Sequence, residues 1–314
     1  MRDTLVIALG GNAITRPGEP GTIPQQFEHT AETLGHLLPV FRSGARIVIT
    51  HGNGPQIGSI LIRVEEGERR VPRLPLDTCV SDSQGGMGYM IQRLACELFR
   101  RQGIGRIAAT VITQVLVNEG DPDMVHPSKP VGQFYCECEM ERLRSERPHW
   151  VFAEVAPDQW RRVVASPHPL RIMEEDAIAC LLNAGVVVVA CGGGGIPVAW
   201  DGDRLVGVEG VVDKDLASSL LARDLHAQKL IIVTSVDRAA ICFGRPGQQW
   251  LDTISVSQAR EYLGAGQFPA GSMGPKIEAG IEFVENGGQE CIVTSTEWVA
   301  RAIRGEGGTH IVPS

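Results

Sequence analysis

Three of the four lysines lie beside small or charged residues, in short segments that could bind phosphate. The chain has 314 residues, with 25 arginines but only four lysines. A lysine ammonium is a compact point charge, whereas an arginine is a wide planar fork, so lysine suits a small phosphoryl group in a tight pocket. Chance retention of these lysines is the alternative, and Lys229, just before an apolar run, looks like an ordinary solvated lysine. The three segments are Ser128-Lys129-Pro130, Asp213-Lys214-Asp215 and Gly274-Pro275-Lys276.

Two of these lysines are predicted at the start of a helix. Lys214 opens the helical stretch 216–223, and Lys276 follows Ser272 and Pro275, which are helix-start signals. The amino end of a helix carries partial positive charge and free N–H groups, so it favours phosphate. For Lys214, an ion-paired helix start without a ligand remains the alternative.

Glycine-rich segments follow three predicted strands. Gly10-Gly11-Asn12 follows the run 4–9, Gly52-Asn53-Gly54 follows the run 47–50 and a histidine, and four glycines at 192–195 follow the run 186–191. Glycine lets backbone N–H groups approach an anion closely. The first two loops lack Walker and dinucleotide-binding spacing, so tight turns are an alternative for them. The glycines at 192–195 either press against a ligand or link two lobes flexibly.

Short β-branched runs alternate with helical patterns along the chain. This alternation predicts an α/β fold with a mainly parallel sheet covered on both faces, and ligands then bind beyond the carboxyl ends of the strands. The segment 118–165, rich in proline, charge and aromatics, breaks the rhythm and is either a surface hairpin or a lid that carries Lys129. The predicted strands are 4–9, 47–50, 107–117, 186–191, 230–235 and 291–294.

The composition restricts the class of partner. A net charge of -8 repels nucleic acid, so any anion site must be built locally. The run 5–9 is shorter than a signal-peptide core, and no apolar run approaches the ~20 residues that cross a bilayer. We therefore expect a cytoplasmic protein without nucleic-acid or membrane partners. The scattered cysteines are expected to be mostly core residues in a reducing compartment, and we predict no protein metal site.

The order of these motifs resembles the carbamate kinases of the amino acid kinase family. The resemblance covers nearly the whole chain and is most specific at 51–56, 192–198 and 271–276. The matching segments are 8–12, 51–56, 75–77, 128–130, 161–164, 192–197, 213–215 and 271–276.

This resemblance implies an open three-layer αβα sandwich with two lobes and a small protruding subdomain, assembled as a homodimer. The N-terminal lobe would span about 1–191, with the subdomain at about 118–165, and the nucleotide-binding lobe about 192–314. The implied activity is reversible phosphoryl transfer between ATP and carbamate with Mg²⁺, giving ADP and carbamoyl phosphate, run toward ATP synthesis in arginine or ureido-compound catabolism. Carbamate is already an anionic nucleophile, so catalysis needs positioning and charge neutralisation and no general base.

The resemblance also implies roles for individual residues. Lys214 and Lys276 would contact the transferring phosphoryl group, Asp215 would orient them, and Lys129 would reach down from the subdomain. The residues implied in phosphate and nucleotide binding are Gly10, Gly11, Asn12, Gly193, Asp213, Val236, Asp237, Met273 and Pro275. Those implied on the carbamoyl side are Gly52, Asn53 and Gly54.

The chain departs from the family pattern at two places. Residues 155–159 replace a usual Asp-Ala-Gly-Arg-Gly segment, and Ala240 and Cys242 stand where a tyrosine and an asparagine are usual. The first departure bears on lid closure and the second on the nucleotide pocket. A related kinase for another small carboxylate or phosphate acceptor, and a non-catalytic nucleotide-binding paralogue, therefore remain alternative functions.

Overall fold

A computed structural model describes residues 2–16, 18–269 and 271–314, apart from the side chain of Asn12. The strands are β1 (Thr4–Leu9), β2 (Arg46–His51), β3 (Ala108–Thr110), β4 (Gln114–Val117), β5 (Lys129–Tyr135), β6 (Val151–Ala156), β7 (Gln159–Val164), β8 (Pro169–Ile172), β9 (Val187–Val189), β10 (Ile196–Asp201), β11 (Arg204–Gly207), β12 (Lys229–Thr234), β13 (Ala240–Ile241), β14 (Gln249–Trp250), β15 (Thr253–Ser255), β16 (Glu290–Ser295) and β17 (Thr309–Val312).

The helices alternate with these strands. They are α1 (Ile23–His36), α2 (Leu38–Arg42), α3 (Gly54–Gly67), α4 (Leu76–Arg101), α5 (Pro122–Val125), α6 (Glu137–Glu146), α7 (Glu175–Asn183), α8 (Lys214–Asp224), α9 (Val256–Gly264), α10 (Met273–Glu285) and α11 (Val299–Ala302). Short 3₁₀ turns lie at Gly11–Ala13 and Gly192–Gly194.

The central sheet has eight strands in the order β15-β17-β16-β12-β1-β2-β9-β3. All its pairings are parallel except that of β16 with β17. Every residue of β1 is buried, and alternate residues enter two hydrophobic cores: Val6 packs in one, and Leu5 and Ile7 in the other. Helices therefore cover both faces of the sheet, and the predicted three-layer α/β fold is confirmed.

Two smaller sheets extend this framework. A four-stranded sheet has the order β11-β10-β4-β8, and a three-stranded sheet, β5-β7-β6, lies wholly within the segment 118–165. The latter has its own apolar cluster with α6, centred on Tyr135, Trp150 and Phe152. The boundary proposed near 191 falls just after β9 of the central sheet, and the division into lobes stays a prediction.

The structure corrects several details predicted from the sequence. The run 107–117 is not one strand, because β3 and β4 belong to different sheets. Most cysteines are not core residues: Cys79, Cys191 and Cys291 are buried, whereas the other five are exposed or partly exposed. None of the described helices is both long and apolar enough to cross a membrane.

Candidate active site

The carboxylate of Asp215 holds the two predicted catalytic lysines. Lys214 Nζ lies 2.5 Å from Asp215 Oδ1, and Lys276 Nζ lies 2.8 Å from Asp215 Oδ2. The Asp215 side chain is 4% exposed, and those of Lys214 and Lys276 are 11% and 15% exposed. One carboxylate therefore supports two ammonium groups, brought by helices whose first residues are about 60 positions apart in the chain.

Local sequence explains how α8 presents this group. Asp213 is the N-cap, and its Oδ1 accepts a hydrogen bond from the backbone N–H of Asp215 at 2.8 Å. Capping of this kind typically contributes about 1 kcal/mol. Ser218, one turn on, donates to the carbonyl of Lys214 at 2.6 Å and lies 2.7 Å from the hydroxyl of Thr50 on β2. The helix start is thus fixed to the central sheet.

Burial and charge set the protonation of the cluster. Burial alone would raise the pKa of Asp215, but the ammonium groups of Lys214 and Lys276 lower it to about 2. Burial lowers the pKa of Lys214, and the Asp215 carboxylate opposes that shift. Asp215 is therefore ionised at neutral pH, and its charge favours the cationic form of the buried Lys214.

Lys129 reaches the same helix from the three-stranded sheet. Its Nζ lies 3.2 Å from Asp213 Oδ2 and 3.4 Å from the carbonyl of Val212. Asp213 thus uses one carboxylate oxygen for the helix cap and the other for Lys129. The protruding segment therefore brings Lys129 to the start of α8, and its role as a lid stays a prediction.

The departure at 155–159 lies at the far end of this small sheet. In β5, Lys129 pairs with Val164 of β7, whereas Tyr135 at the other end pairs with Trp160. At ~3.3 Å per residue, the strand separates the departing turn from Lys129 by about 20 Å. The change in sequence therefore does not touch Lys129.

The two glycine loops meet beside Lys214. The Gly52 N–H donates to the carbonyl of Leu9 at 3.0 Å, and the Gly10 N–H donates to Val233 at 3.0 Å. A Cβ placed on Gly52 would lie 3.7 Å from the Gly11 nitrogen and 3.8 Å from Lys214 Cδ. The parallel register of β1 with its neighbours sets both loops at one edge of the sheet. Asn12 lies in the turn Gly11–Ala13, and its side chain is outside the described residues.

The glycines at 192–194 pack against the protein's own loops. A Cβ on Gly193 would lie 2.2 Å from Asn53 Nδ2, and one on Gly194 would lie 2.2 Å from the Val212 carbonyl. Both glycines have positive φ, +67° and +94°, and the turn is buried. The sequence analysis weighed contact with a ligand against a flexible link, whereas the structure shows close packing against Asn53 and the segment before α8.

Two residues of α4 that the sequence analysis did not single out support the second loop. Ser83 accepts a hydrogen bond from Asn53 Nδ2 at 2.8 Å. Gln84 Nε2 donates to the carbonyls of Thr113 and Gly192, at 3.1 and 3.0 Å. Ser83 and Gln84 are both buried. Polar residues in a long helix are common on a solvent face, so only the packing identifies these two as supports.

His51 precedes the second loop as a buried neutral imidazole. Burial lowers its pKa to about 4, a hydrogen bond with the Gly52 carbonyl opposes the shift, and the charge of Lys214 adds to it. Nδ1 lies 3.1 Å from that carbonyl, so the neutral ring donates there. A Cβ on Gly192 would lie 2.5 Å from His51 Nε2. His51 therefore fills space behind the loop without adding charge.

A cleft at the carboxyl end of β12 adjoins the start of α10. Its volume is about 290 Å³, and Val236, Ala240, Phe243, Phe268 and Met273 are among the residues that line it. Ala240 is buried at the wall of this cleft. Pro275 lies in the first turn of α10.

Asp237 and Lys229, both singled out in the sequence, lie at opposite ends of β12. Asp237 accepts a hydrogen bond from Ser295 at 2.5 Å, at the ends of β12 and β16. Lys229 is not solvated as predicted: it is partly buried at the opposite end of β12, where its Nζ lies 2.6 Å from Glu290 Oε2. The structure therefore separates Lys229 from the other three lysines.

Comparison with known proteins decides the family. Residues 3–295 match the amino acid kinase family. The chain belongs to that family. It is 44% identical to the carbamate kinase-like protein YahI of Escherichia coli, over 99% of each chain, and 41% identical to a carbamate kinase of Pyrococcus horikoshii, over 100% of each. It superposes on the carbamate kinase from Giardia lamblia bound to AMP-PNP with a TM-score of 0.95 and 37% identity, covering 100% of this chain and 99% of that one. The predicted kinship to carbamate kinases and the assignment as a phosphotransferase are confirmed.

Proposed function

We propose that the chain catalyses reversible phosphoryl transfer between ATP and carbamate, giving ADP and carbamoyl phosphate. The observation that carries the proposal is the bridging of Lys214 and Lys276 by Asp215 at the meeting point of the two glycine loops. Phosphoryl transfer is catalysed by positioning and by neutralising charge on the moving group, and this site offers both.

The lysine pair supplies the charge. Each ammonium has three N–H donors and spends one on Asp215, so the remaining donors can contact the oxygens of a phosphoryl group. In the direction of ATP synthesis, a β-phosphate oxygen of ADP forms a bond to phosphorus as the bond to the carbamate oxygen breaks. Carbamate leaves as an anion, so no proton has to move at phosphorus.

The glycine loops and Lys129 position the reactants. The N–H groups of Gly10 and Gly52 are already bonded to the Val233 and Leu9 carbonyls, so the N–H of Gly11 would face the nucleotide phosphates and those of Asn53 and Gly54 the carbamoyl side. Gly11 and Gly54 have open space where a Cβ would be, which leaves room for an anion against the backbone. Lys129, held by its contact with Asp213, would cover the carbamoyl side of the site from the three-stranded sheet.

Nucleotide binding is assigned to the cleft beyond β12. AMP-PNP is bound by the Giardia relative, whose fold matches this chain over its whole length. Val236, Asp237, Met273 and Pro275 lie at this cleft or beside it, and the apolar side chains of Phe243 and Phe268 offer a surface for a base. Gly193 and Asp213 act indirectly. Gly193 packs against Asn53 and so fixes its position, and Asp213 caps α8.

Mg²⁺ would accompany the nucleotide. No group of three or more His, Cys, Asp or Glu side chains within the described residues is placed to hold a metal ion. Asp213 and Asp215 are both engaged by lysines and backbone. The ligands of Mg²⁺ would then be mainly phosphate oxygens and water molecules, several of which this ion usually retains.

The decisive experiment is ATP formation from ADP and carbamoyl phosphate. Purified protein with Mg²⁺ should produce ATP, measured by luciferase, and Lys276→Ala protein is the matched control. A folded protein that makes no ATP above the spontaneous decay of carbamoyl phosphate would overturn the proposal. Acetyl phosphate in place of carbamoyl phosphate tests the alternative of another carboxylate acceptor.

The physiological setting forms a further part of the proposal. We infer a cytoplasmic homodimer that works toward ATP synthesis in arginine or ureido-compound catabolism, as the family resemblance implies. Light scattering of the purified protein checks the dimer. The relative rates in the two directions, at cellular concentrations of reactants, check the direction.

A further inference from the structure

At the edge of the central sheet opposite the lysine pair, a small cavity is lined by arginines without a carboxylate. Its volume is about 300 Å³, at the lower end of the range for small-molecule sites, about 300–1,000 Å³. It lies where β1, β2 and β9 begin, whereas the glycine loops lie where β1 and β2 end. The residues that matter here are Arg2, Arg46, Arg106, Gly44, Asn183 and Gly185.

The three guanidinium groups lack anionic partners within the described residues. Arg106 donates only to backbone carbonyls, those of Ala45 at 2.8 Å, Phe41 at 3.3 Å and Gly185 at 3.4 Å. Arg46 donates to Asn183 Oδ1 at 2.9 Å, and its Nε is buried without a hydrogen-bond partner. No ion pair of the described chain involves any of the three arginines.

The positive charges of Arg2 and Arg106 repel each other, and this repulsion affects the pKa of Arg106. Burial lowers the pKa of Arg106, and the positive charge of Arg2 lowers it further. A larger neighbouring cavity of about 610 Å³ shares Arg2 and Arg46 and adds Asp3 and Asp224 to its lining. Asp224 is already paired with Arg223 at 2.7 Å. The smaller cavity therefore concentrates positive charge in a protein whose net charge is -8.

We propose that this cavity binds a small phosphate-bearing anion at a second site, separate from the catalytic one. Guanidinium forks match phosphate oxygens in geometry, and three guanidinium groups without an ion-pair partner among the described residues line this cavity. Arg106 is held in place by three carbonyls, so its remaining N–H groups are oriented before a ligand arrives. Six-residue strands separate this site from the glycine loops by about 20 Å, so a phosphate here does not compete with the reactants.

The test is calorimetric titration of inorganic phosphate into Lys276→Ala protein. This background breaks the lysine pair, so binding at the catalytic site is weakened. We expect phosphate binding to persist and to weaken at least about tenfold when either Arg2→Gln or Arg46→Gln is added, as expected for losing a charged hydrogen bond. Arg142→Gln removes an exposed arginine of the protruding segment and is the matched control, with no change expected.

Two results would overturn the proposal. One is the absence of phosphate binding in the Lys276→Ala background, and the other is binding that neither Arg2→Gln nor Arg46→Gln alters. Arg2 is exposed, so its replacement leaves the fold intact even if Arg46→Gln proves unstable. The titration involves no turnover, so its outcome is independent of the proposed kinase reaction.

Discussion

The carboxylate of Asp215 accepts a hydrogen bond from Lys276 at 2.8 Å, across 61 positions of sequence. This contact joins the first turns of α8 and α10, whose partly positive amino ends both face the lysine pair. A buried carboxylate between two cations is stable only while both partners remain. Each member of the group can therefore be tested by a distinct change.

Loss of either catalytic lysine should lower kcat. Lys214→Ala and Lys276→Ala should each reduce kcat by roughly 10²- to 10³-fold, because each removes one preorganised donor to the transition-state charge. Steady-state kinetics of ATP formation measures the effect. Lys229→Ala is the control: it removes the pair with Glu290 at the other end of β12, so kcat should stay unchanged. Equal losses for Lys229→Ala and Lys276→Ala would contradict the assignment.

Removing the charge of Asp215 should change the pH dependence of activity. In Asp215→Asn protein, the anion that opposes the burial shift of Lys214 is gone, so the pKa of Lys214 should fall further. A lysine is charged only below its pKa, and hence the alkaline limit of kcat should move to lower pH. The pH profile of kcat measures this. Asp224→Asn, at the other end of α8, should leave the profile unmoved, and a similar shift in both variants would argue against a local effect.

Lys129 should matter for the carbamoyl side of the reaction. Lys129→Ala should raise the KM for carbamoyl phosphate by about tenfold, the value of one hydrogen bond to a charged group, with a smaller change in the KM for ADP. The reason is that Lys129 approaches Asp213 from the three-stranded sheet and is not among the residues that line the cleft beyond β12. Separate titration of the two substrates distinguishes the effects. An unchanged KM for both would remove Lys129 from the site.

The turn 192–194 should be sensitive to a single methyl group. Gly193→Ala forces a Cβ against Asn53, so the hydrogen bond from Asn53 to Ser83 breaks and the second glycine loop shifts. We expect a raised KM for carbamoyl phosphate and a lower melting temperature. Gly202→Ala is matched, because Gly202 also has positive φ, +59°, but has open space around its Cβ position. It should show only the strain of a left-handed alanine, about 1–2 kcal/mol.

His51 should make the fold less stable in mild acid. Its pKa is about 4 in the folded protein and 6.5 when unperturbed, so below pH 6.5 the unfolded chain binds more protons. The stability from neutral His51 is complete above about pH 6.5 and is lost as the pH falls toward 4. Urea unfolding at pH 7.5 and pH 5 should show a loss of about 2 kcal/mol that is missing in His51→Asn. Parallel pH dependences in the two proteins would contradict this.

The sequence predicted the site residues that lie next to strand ends and helix starts. A glycine loop that follows a parallel strand lies at the carboxyl edge of the sheet, so local sequence located the loops. Asp213 was implied by the resemblance as a nucleotide-binding residue, and its role as the cap of α8 is seen only in the structure. The supports were not predictable in this way. Ser83 and Gln84 lie inside α4 and act on residues 29 or more positions away, through contacts that exist only once the sheets are assembled.

The limits of the fold prediction have the same origin. The run 107–117 is rich enough in β-branched and apolar residues to be predicted as one strand. Its two halves nevertheless pair with different partners, β3 with β9 and β4 with β10. The pairing partners of a strand depend on the assembly of the whole sheet, which the local sequence of that strand does not encode. The arginine cavity at the starts of the strands was missed because an arginine-rich chain gives no local reason to prefer Arg46 or Arg106 over others.

Asp213 divides its carboxylate between the cap of α8 and Lys129 of the protruding segment. Any displacement of that segment that withdraws Lys129 leaves a bare negative charge at a helix end where phosphate must bind. In the arrangement that the structure shows, the Lys129 ammonium neutralises that charge. The protruding segment consequently contributes to the charge at the start of α8 through a single shared carboxylate.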